Sequence, residues 1–386
     1  MLRTLYAGNY RSIKSTSIQF GNFNCLVGGN NSGKSNLFDV LLFLSDMARS
    51  GLEVAIANHG GDRLHYYGSG GDEPIRVKIV LDGLSGKPEM KLRYEISFMT
   101  DPVKLVDETL ALSDKNGGEQ LLLSVQTPAT GQQDFRVSRA GSIQSSSTSG
   151  LNEPLVFNSG FTRGSDAEPH TDFLRNYLLG IRGYKFIPDR LKAFGPAIHT
   201  PTLQRDGSNF ASYLHDVYSS NRKYFDQIQD QFIRNFRDID ELLAPLSRSQ
   251  TGMTEVGIRE KWFRRSHSGT QLSDGLVGFL AHLTVLYGPD EPSFVTFEEP
   301  ENYINPRLLQ RLVEMLQEAS RSVQVAISTH STSLLNYLSL DDIIVVTRYE
   351  GGTRAVRVAD KEALKNALKD WALGDAYVAG ALEDDA

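Results

Sequence analysis

The stretch Gly28-Gly29-Asn30-Asn31-Ser32-Gly33-Lys34-Ser35 satisfies G-x-x-x-x-G-K-[ST] at every fixed position, and it constrains the fold more than any other part of the chain. It follows the apolar run Phe23–Val27 and precedes Leu37, Val40, Leu41, Leu44 and Met47, spaced as one stripe of a helix. A strand, a glycine-rich loop and a helix in that order make an anion cradle. Glycines let consecutive backbone N–H groups converge on phosphate oxygens, and the helix N-terminus adds a favourable dipole. Lys34 would reach the terminal phosphates and the Ser35 hydroxyl would ligate Mg²⁺, with Gly28, Asn30, Asn31, Ser32, Gly33 and Asn36 completing the nucleotide site. The loop alone does not separate GTPase, kinase, transporter and motor. No N-K-x-D guanine-reading element occurs, which weakens the GTPase option.

Further along, Ser293–Phe297 is an apolar strand that ends in Glu298-Glu299, followed by Pro300-Glu301-Asn302. Ligand sites of parallel sheets lie beyond the strand C-termini. Adjacent acids there point in different directions, so Glu298 could support Mg²⁺ while Glu299 polarises an attacking water. A solvated acidic turn is the plainer alternative. Gln271-Leu272-Ser273-Asp274-Gly275 opens a helix carrying Leu276, Phe279, Leu280, Leu283 and Leu286, and is either a second anion cradle or an ordinary N-cap. Val323–Ser328 reads as another buried strand, ending at Thr329-His330-Ser331; His330 could sense the γ-phosphate or simply cap and pack. Asn305-Pro306 reads as the N-cap and first-turn proline of a helix over Arg307–Ala319.

The surrounding chain sets the domain plan. At 386 residues, with roughly 150 per domain as a guide, two or three domains or one large one with insertions are expected. Residues 1–137 read as an N-terminal lobe whose alternating segments Ile75–Leu81, Lys91–Phe98 and Leu121–Val125 suggest antiparallel β structure. Residues 138–169 are rich in Ser and Gly and read as a flexible loop, 170–258 as a mainly helical insertion, and 259–386 as a returning strand–helix lobe, closing with a helix near Lys361–Ala372. The fold class is therefore α/β, split in sequence by an insertion. The lone Cys25 excludes an intramolecular disulfide and a Cys-cluster metal site, and makes a reducing cytoplasm the default. The longest apolar run, Val40–Leu44, is far short of the ~18 residues a membrane span needs. The opening MLRTLYAGNYRSIK lacks the apolar core of a secretory signal. A net charge of −7 means that nucleic acid would be met only through a local patch or a groove formed by dimerisation.

LVGGNNSGKSNL, QLSDG, FVTFEEPEN and AISTHS, in this order and spacing, resemble the Walker A, signature, Walker B and switch-histidine motifs of ABC-class ATPase heads, in particular the RecF/SMC-like and OLD-like branch. NYRSIKSTSIQFGNFNCLVG is similar to that branch's first strands, and LQRDGSNFASYL and DWALGDAYVAGALEDD to a compact bacterial RecF-like subgroup. The likeness covers most of the chain except residues 84–165, where it is only general. It implies an ABC head, a P-loop NTPase with an antiparallel β lobe and a helical insertion. It also implies ATP and Mg²⁺ as cofactors and an ATPase reaction, with Glu299 as general base, His330 as switch, and Ser35 and Glu298 at the metal. Ser273 and Gly275 would meet the γ-phosphate of the opposite subunit in a homodimer.

Three positions depart from the pattern: Glu298 stands where most ABC proteins have Asp, Leu276–Gly278 are apolar after the signature, and Asn305 replaces a His or Asp. Gln132, Gln133 and Gln204 are the candidates for a Q-loop glutamine. Asn209–Leu246, read as ~35 helical residues, spans at most ~55 Å, which excludes a long coiled-coil tether. Arg259, Lys261, Arg264 and Arg265, with Trp262 and Phe263 among them and Arg234 and Arg237 nearby, form either a double-stranded DNA patch or a solvated strand. Two functions follow: an ATP-gated, DNA-associated dimer in repair or anti-phage defence, or a regulator of a separately encoded effector protein.

Overall fold

The computed structural model describes residues 1–84, 89–127, 132–149, 153–360, 366 and 372–381. The chain divides into two compact units, one of Met1–Ile181, Ser339–Trp371 and Ala379–Ala386, the other of Arg182–Leu338 and Ala372–Val378. The cuts fall at Arg182 and Ser339, away from the composition changes at 138, 170 and 259.

In the first unit, β1 (Leu2–Tyr10), β2 (Ile13–Gln19), β4 (Ile75–Leu81), β5 (Lys91–Thr100), β6 (Val103–Ser113), β7 (Glu119–Gln126), β8 (Gln132–Arg139) and β9 (Ser142–Ser149) form an antiparallel sheet in the order β2-β1-β4-β5-β6-β7-β8-β9. Strand β4 shows why: Ile75, Val77, Ile79 and Leu81 are buried on one face while Arg76, Lys78 and Val80 are turned toward solvent. Strand β3 (Phe23–Val27), buried at every position, pairs in parallel with β18 (Ile343–Tyr349), which pairs antiparallel with β19 (Gly352–Arg357). Helix α1 (Lys34–Ser50) buries the whole expected stripe. Its Phe43 ring stacks on Phe98 of β5 with centroids 5.1 Å apart. Helices α2 (Leu52–Asn58), α3 (Ser159–Thr162) and α4 (Glu168–Leu179) complete the unit.

The Ser/Gly-rich stretch departs from expectation. Residues 138–149 belong to the β8–β9 hairpin, registered from Gln132↔Ser149 to Arg139↔Ser142. Composition misses it because β9 is an edge strand whose residues 142–147 are all exposed. It is held by main-chain pairing and shows no apolar alternation.

In the second unit, β10 (Ile181–Tyr184), β16 (Phe294–Glu298) and β17 (Gln324–Thr329) lie side by side, with Glu298 level with Ser328 in the parallel β16–β17 pair. Helices α5 (Pro188–Leu191), α6 (Phe210–Ser220), α7 (Arg222–Asn235), α8 (Asp274–Tyr287), α9 (Pro306–Ala319), α10 (Thr332–Leu335) and α11 (Leu373–Val378) surround a core containing Phe210, Phe225, Phe232 and Phe279. Short pairings join β11 (Gly195–Pro196) to β13 (Met253–Thr254), and β12 (Ile239–Leu243) to β14 (Gly257–Glu260) and β15 (His267–Ser268). The expected helical run 209–246 is thus two helices of 11 and 14 residues, broken at Asn221 and followed by a strand. Neither can supercoil over any distance. Among the described residues no helix is long and apolar enough to cross a membrane. The helix expected near Lys361–Ala372 lies almost wholly outside them.

Candidate functional site

The phosphate loop is built by its backbone. Asn31 and Gly33 take positive φ of 62° and 109°, and a Cβ on Gly33 would stand 2.0 Å from Thr353 Oγ1. A Cβ on Gly28 would meet the Val346 carbonyl at 1.9 Å, whereas nothing lies within 4 Å of one on Gly29. The β18–β19 hairpin braces the loop. Arg348 Nε donates to the Asn31 carbonyl (3.0 Å) and Arg348 Nη1 to the Gly351 carbonyl (2.6 Å), while Thr353 Oγ1 donates to the Ser32 carbonyl (3.0 Å). Lys34 Nζ folds back to donate to the carbonyls of Gly28 (2.7 Å) and Gly29 (3.1 Å). The buried Ser32 hydroxyl has no hydrogen-bond partner among the described residues. Asn30 and Ser35 are exposed. Asn36 instead donates from Nδ2 to Ser12 Oγ (2.6 Å), a tie between α1 and the β1–β2 turn. An open position at Gly29, a lysine resting on loop carbonyls and a hydroxyl with no partner among the described residues fit a phosphate chain.

Helix α1 is anchored from behind by charge. His59 contacts Asp39 (3.0 Å) and Asp46 (3.2 Å), both on α1, and Asp39 also accepts from Tyr10 Oη (2.6 Å) and pairs with Arg11 (3.0 Å). Burial alone would lower the His59 pKa, but the two carboxylates outweigh it and raise it to about 9.

In the second unit the acids stand at one strand end with distinct partners. Glu298 is buried; Oε1 accepts from Arg205 Nη2, and Lys185 Nζ lies 3.6 Å from Oε2. Glu299 takes a positive φ of 50°, its N–H donates to the Ser328 carbonyl (2.8 Å) and its Oε2 accepts from Asn302 (2.7 Å). The two carboxylates thus have different partners at one strand end. Glu301 Oε1 accepts from Thr329 Oγ1 while its buried Oε2 has no partner among the described residues, and burial raises its pKa. A cavity of about 20 Å³, room for one water, is lined by Phe186, His282, Glu298, Glu299 and Asn302 among others. His282 bonds the Gly278 carbonyl through Nδ1 (2.7 Å) and burial lowers its pKa to about 4, so the ring is neutral near pH 7.

His330 is half-buried past β17, its Nδ1 3.4 Å from Tyr377 Oη. Ser273 is the exposed N-cap of α8, accepting from the Leu276 N–H (3.3 Å). A Cβ on Gly275 would lie 2.4 Å from the Tyr303 carbonyl, so this glycine is demanded by close packing. Asn305 caps α9 by accepting from the Arg307 N–H (3.0 Å). Gln133 is buried within the antiparallel sheet, and Gln204 accepts a bond from Ser208. Arg259 pairs with Asp240 and Glu241 while staying exposed, and Lys261, Arg264 and Arg265 are exposed beside Trp262 and Phe263. The structure therefore groups Glu298, Glu299 and His330 at adjacent strand ends of one unit and the phosphate loop in the other. Sequence reasoning missed Lys185, Arg205 and His282; only the LQRDGSN stretch offered a signal, for Arg205.

Fold and motif layout define an ABC-class ATPase of the RecF/SMC/OLD type. The chain belongs to the family described as "AAA domain, putative AbiEii toxin, Type IV TA system", whose model matches residues 23–336. It is 25% identical over 379 residues, 92% of its length, to the Old nuclease of Escherichia phage P2, and spans 60% of that protein. In structure it is similar to an SMC head bound to the C-winged helix domain of ScpA, with a TM-score of 0.55 at 15% identity, covering 92% of this chain and 97% of that one. A second SMC head, with an extended coiled coil and bound to the C-terminal domain of ScpA from Pyrococcus furiosus, matches at 0.53 and 14%, covering 96% and 99%.

Proposed function

We propose that this chain binds ATP with Mg²⁺ on the phosphate loop and hydrolyses it in a head-to-tail homodimer, as part of a DNA-associated process such as repair or anti-phage defence. The phosphate loop carries the reading: the open position at Gly29, Lys34 and the Ser32 hydroxyl, unpartnered among the described residues, suit a nucleoside triphosphate. Ser35 and Glu298 offer the oxygen donors that Mg²⁺ prefers, and the ion would neutralise developing phosphate charge. Glu299 would take the proton of the attacking water, its carboxylate held by Asn302 and not by the cations that hold Glu298. His330 would follow the γ-phosphate. Ser273, exposed at the N-terminus of α8, would meet the partner's γ-phosphate. Likeness to the Old nuclease supports the DNA-associated setting.

A second reading, a nucleotide-gated regulator of a separate effector, is favoured by the 80% exposed Trp262 and 55% exposed Phe263, an aromatic pair that suits a protein partner as well as DNA bases. Steady-state ATP hydrolysis by wild type and Glu299→Gln, with and without double-stranded DNA, separates the readings. DNA stimulation that is lost in a Lys261/Arg264/Arg265 triple alanine variant supports the first, whereas turnover indifferent to DNA supports the regulator. A wild type that neither binds nor hydrolyses ATP overturns both.

A further inference from the structure

The Glu298 side chain is 5% exposed, and a carboxylate so far from water needs counter-charge. Two cations from one paired segment supply it. Arg205 donates to Oε1 and Lys185 approaches Oε2 at 3.6 Å. The two are tied by backbone bonds, the Lys185 N–H to the Arg205 carbonyl (2.8 Å) and the Ile187 N–H to the Asp206 carbonyl (3.2 Å). Asp206 in turn holds the turn in shape by accepting from the Ser208 N–H (2.9 Å) and pairing with Arg190. Both cations remain about half exposed, 46% and 52%, so their heads can leave Glu298 without exposing apolar core.

The same carboxylate is the metal-side acid of the ATP reading, on which this inference rests. A site already held by two positive groups repels a dication. We infer that Arg205, seconded by Lys185, is a positioning residue that holds Glu298 in the nucleotide-free protein and competes with the divalent cation for its carboxylate. The pair keeps a buried acid neutralised between turnovers and sets how much Mg²⁺ the site demands.

Two arms test this, one without nucleotide. In metal-free buffer Arg205→Ala lowers the melting temperature by about 4 °C or more, the effect of stranding a buried charge. Arg205→Lys recovers part of that loss, and Arg205→Ala/Glu298→Gln recovers most of it. Additive effects in that double variant would overturn the pairing. In the second arm, the Mg²⁺ concentration giving half of the ATP-induced thermal shift falls about 3- to 10-fold in Arg205→Ala. An unchanged or higher Mg²⁺ requirement would overturn the competition. Lys185→Ala, the milder change, is read in the same way should Arg205→Ala not fold. If wild type shows no ATP-induced shift at all, the ATP reading fails, while the nucleotide-free cycle still decides the Arg205–Glu298 coupling.

Discussion

The phosphate loop and the acidic strand end are both short segments that follow a buried strand, yet the balance of what holds them differs. Positive φ at Asn31 and Gly33 and bonds onto loop carbonyls from Arg348 and Thr353 shape the first. The second adds to the positive φ of Glu299 side chains that hold each carboxylate: the distant Arg205 and Lys185 on Glu298, Thr329 on Glu301 and the nearby Asn302 on Glu299. An anion cradle made of main-chain N–H groups needs only permissive residues at fixed spacing. Two carboxylates with different tasks need different surroundings, and surroundings come from distant sequence.

Four experiments sharpen that contrast. The largest effect is expected at the acids: Glu299→Gln should cut turnover by about 10²- to 10⁴-fold while leaving ATP binding intact, read by steady-state kinetics beside a nucleotide-binding titration. Loss of binding with turnover would show that Glu299 shapes the site and does not act as the base. Gly33→Ala probes the backbone-built loop. Its Cβ would collide with Thr353 Oγ1 at a φ of 109°, so a stability loss of about 3 kcal/mol should appear in denaturant unfolding. Near-wild-type stability would mean that the loop is held less by its backbone than the geometry indicates.

Electrostatics also braces the first region from behind α1, through His59. Its folded pKa of about 9 lies above the unfolded value, so its contribution is complete below the unfolded pKa, ~6.5, and drains away as pH rises toward 9. His59→Asn should remove roughly 2–3 kcal/mol at pH 7 and flatten the pH dependence of melting over that window. An unchanged alkaline slope would place the titration elsewhere. The smallest effect concerns Gly275. If close packing against Tyr303 is its purpose, Gly275→Ala should cost about 1–2 kcal/mol in thermal unfolding without nucleotide. A full loss of turnover at unchanged stability would restore a purely nucleotide-contacting role.

Much of the fold was legible because it follows from local period. The α1 stripe, the alternation in β4 and the continuous apolar runs of β3, β16 and β17 each point to one burial pattern. The β9 edge escaped notice, since a strand of exposed serines carries no burial signal and is specified by its neighbour's backbone. The helical run expected over 209–246 failed for a related reason: strand β12 exists through its pairing with β14, which lies beyond the segment itself.

The sites divide along the same line. By itself the sequence determined the phosphate loop, the two acids at a strand end and the helix cap at Asn305, and left Ser273 between a cap and an anion cradle, because glycine, proline and capping residues act on the few residues beside them. Only the tertiary structure decided that Arg205 and Lys185 neutralise Glu298, that His282 sits uncharged by the acids, and that Arg259 is taken up by Asp240 and Glu241. Glu298 and His282 depend on which groups meet at low dielectric, Arg259 on which charges meet at the surface, and in each case the partner is set by folding in three dimensions, not by neighbours along the chain.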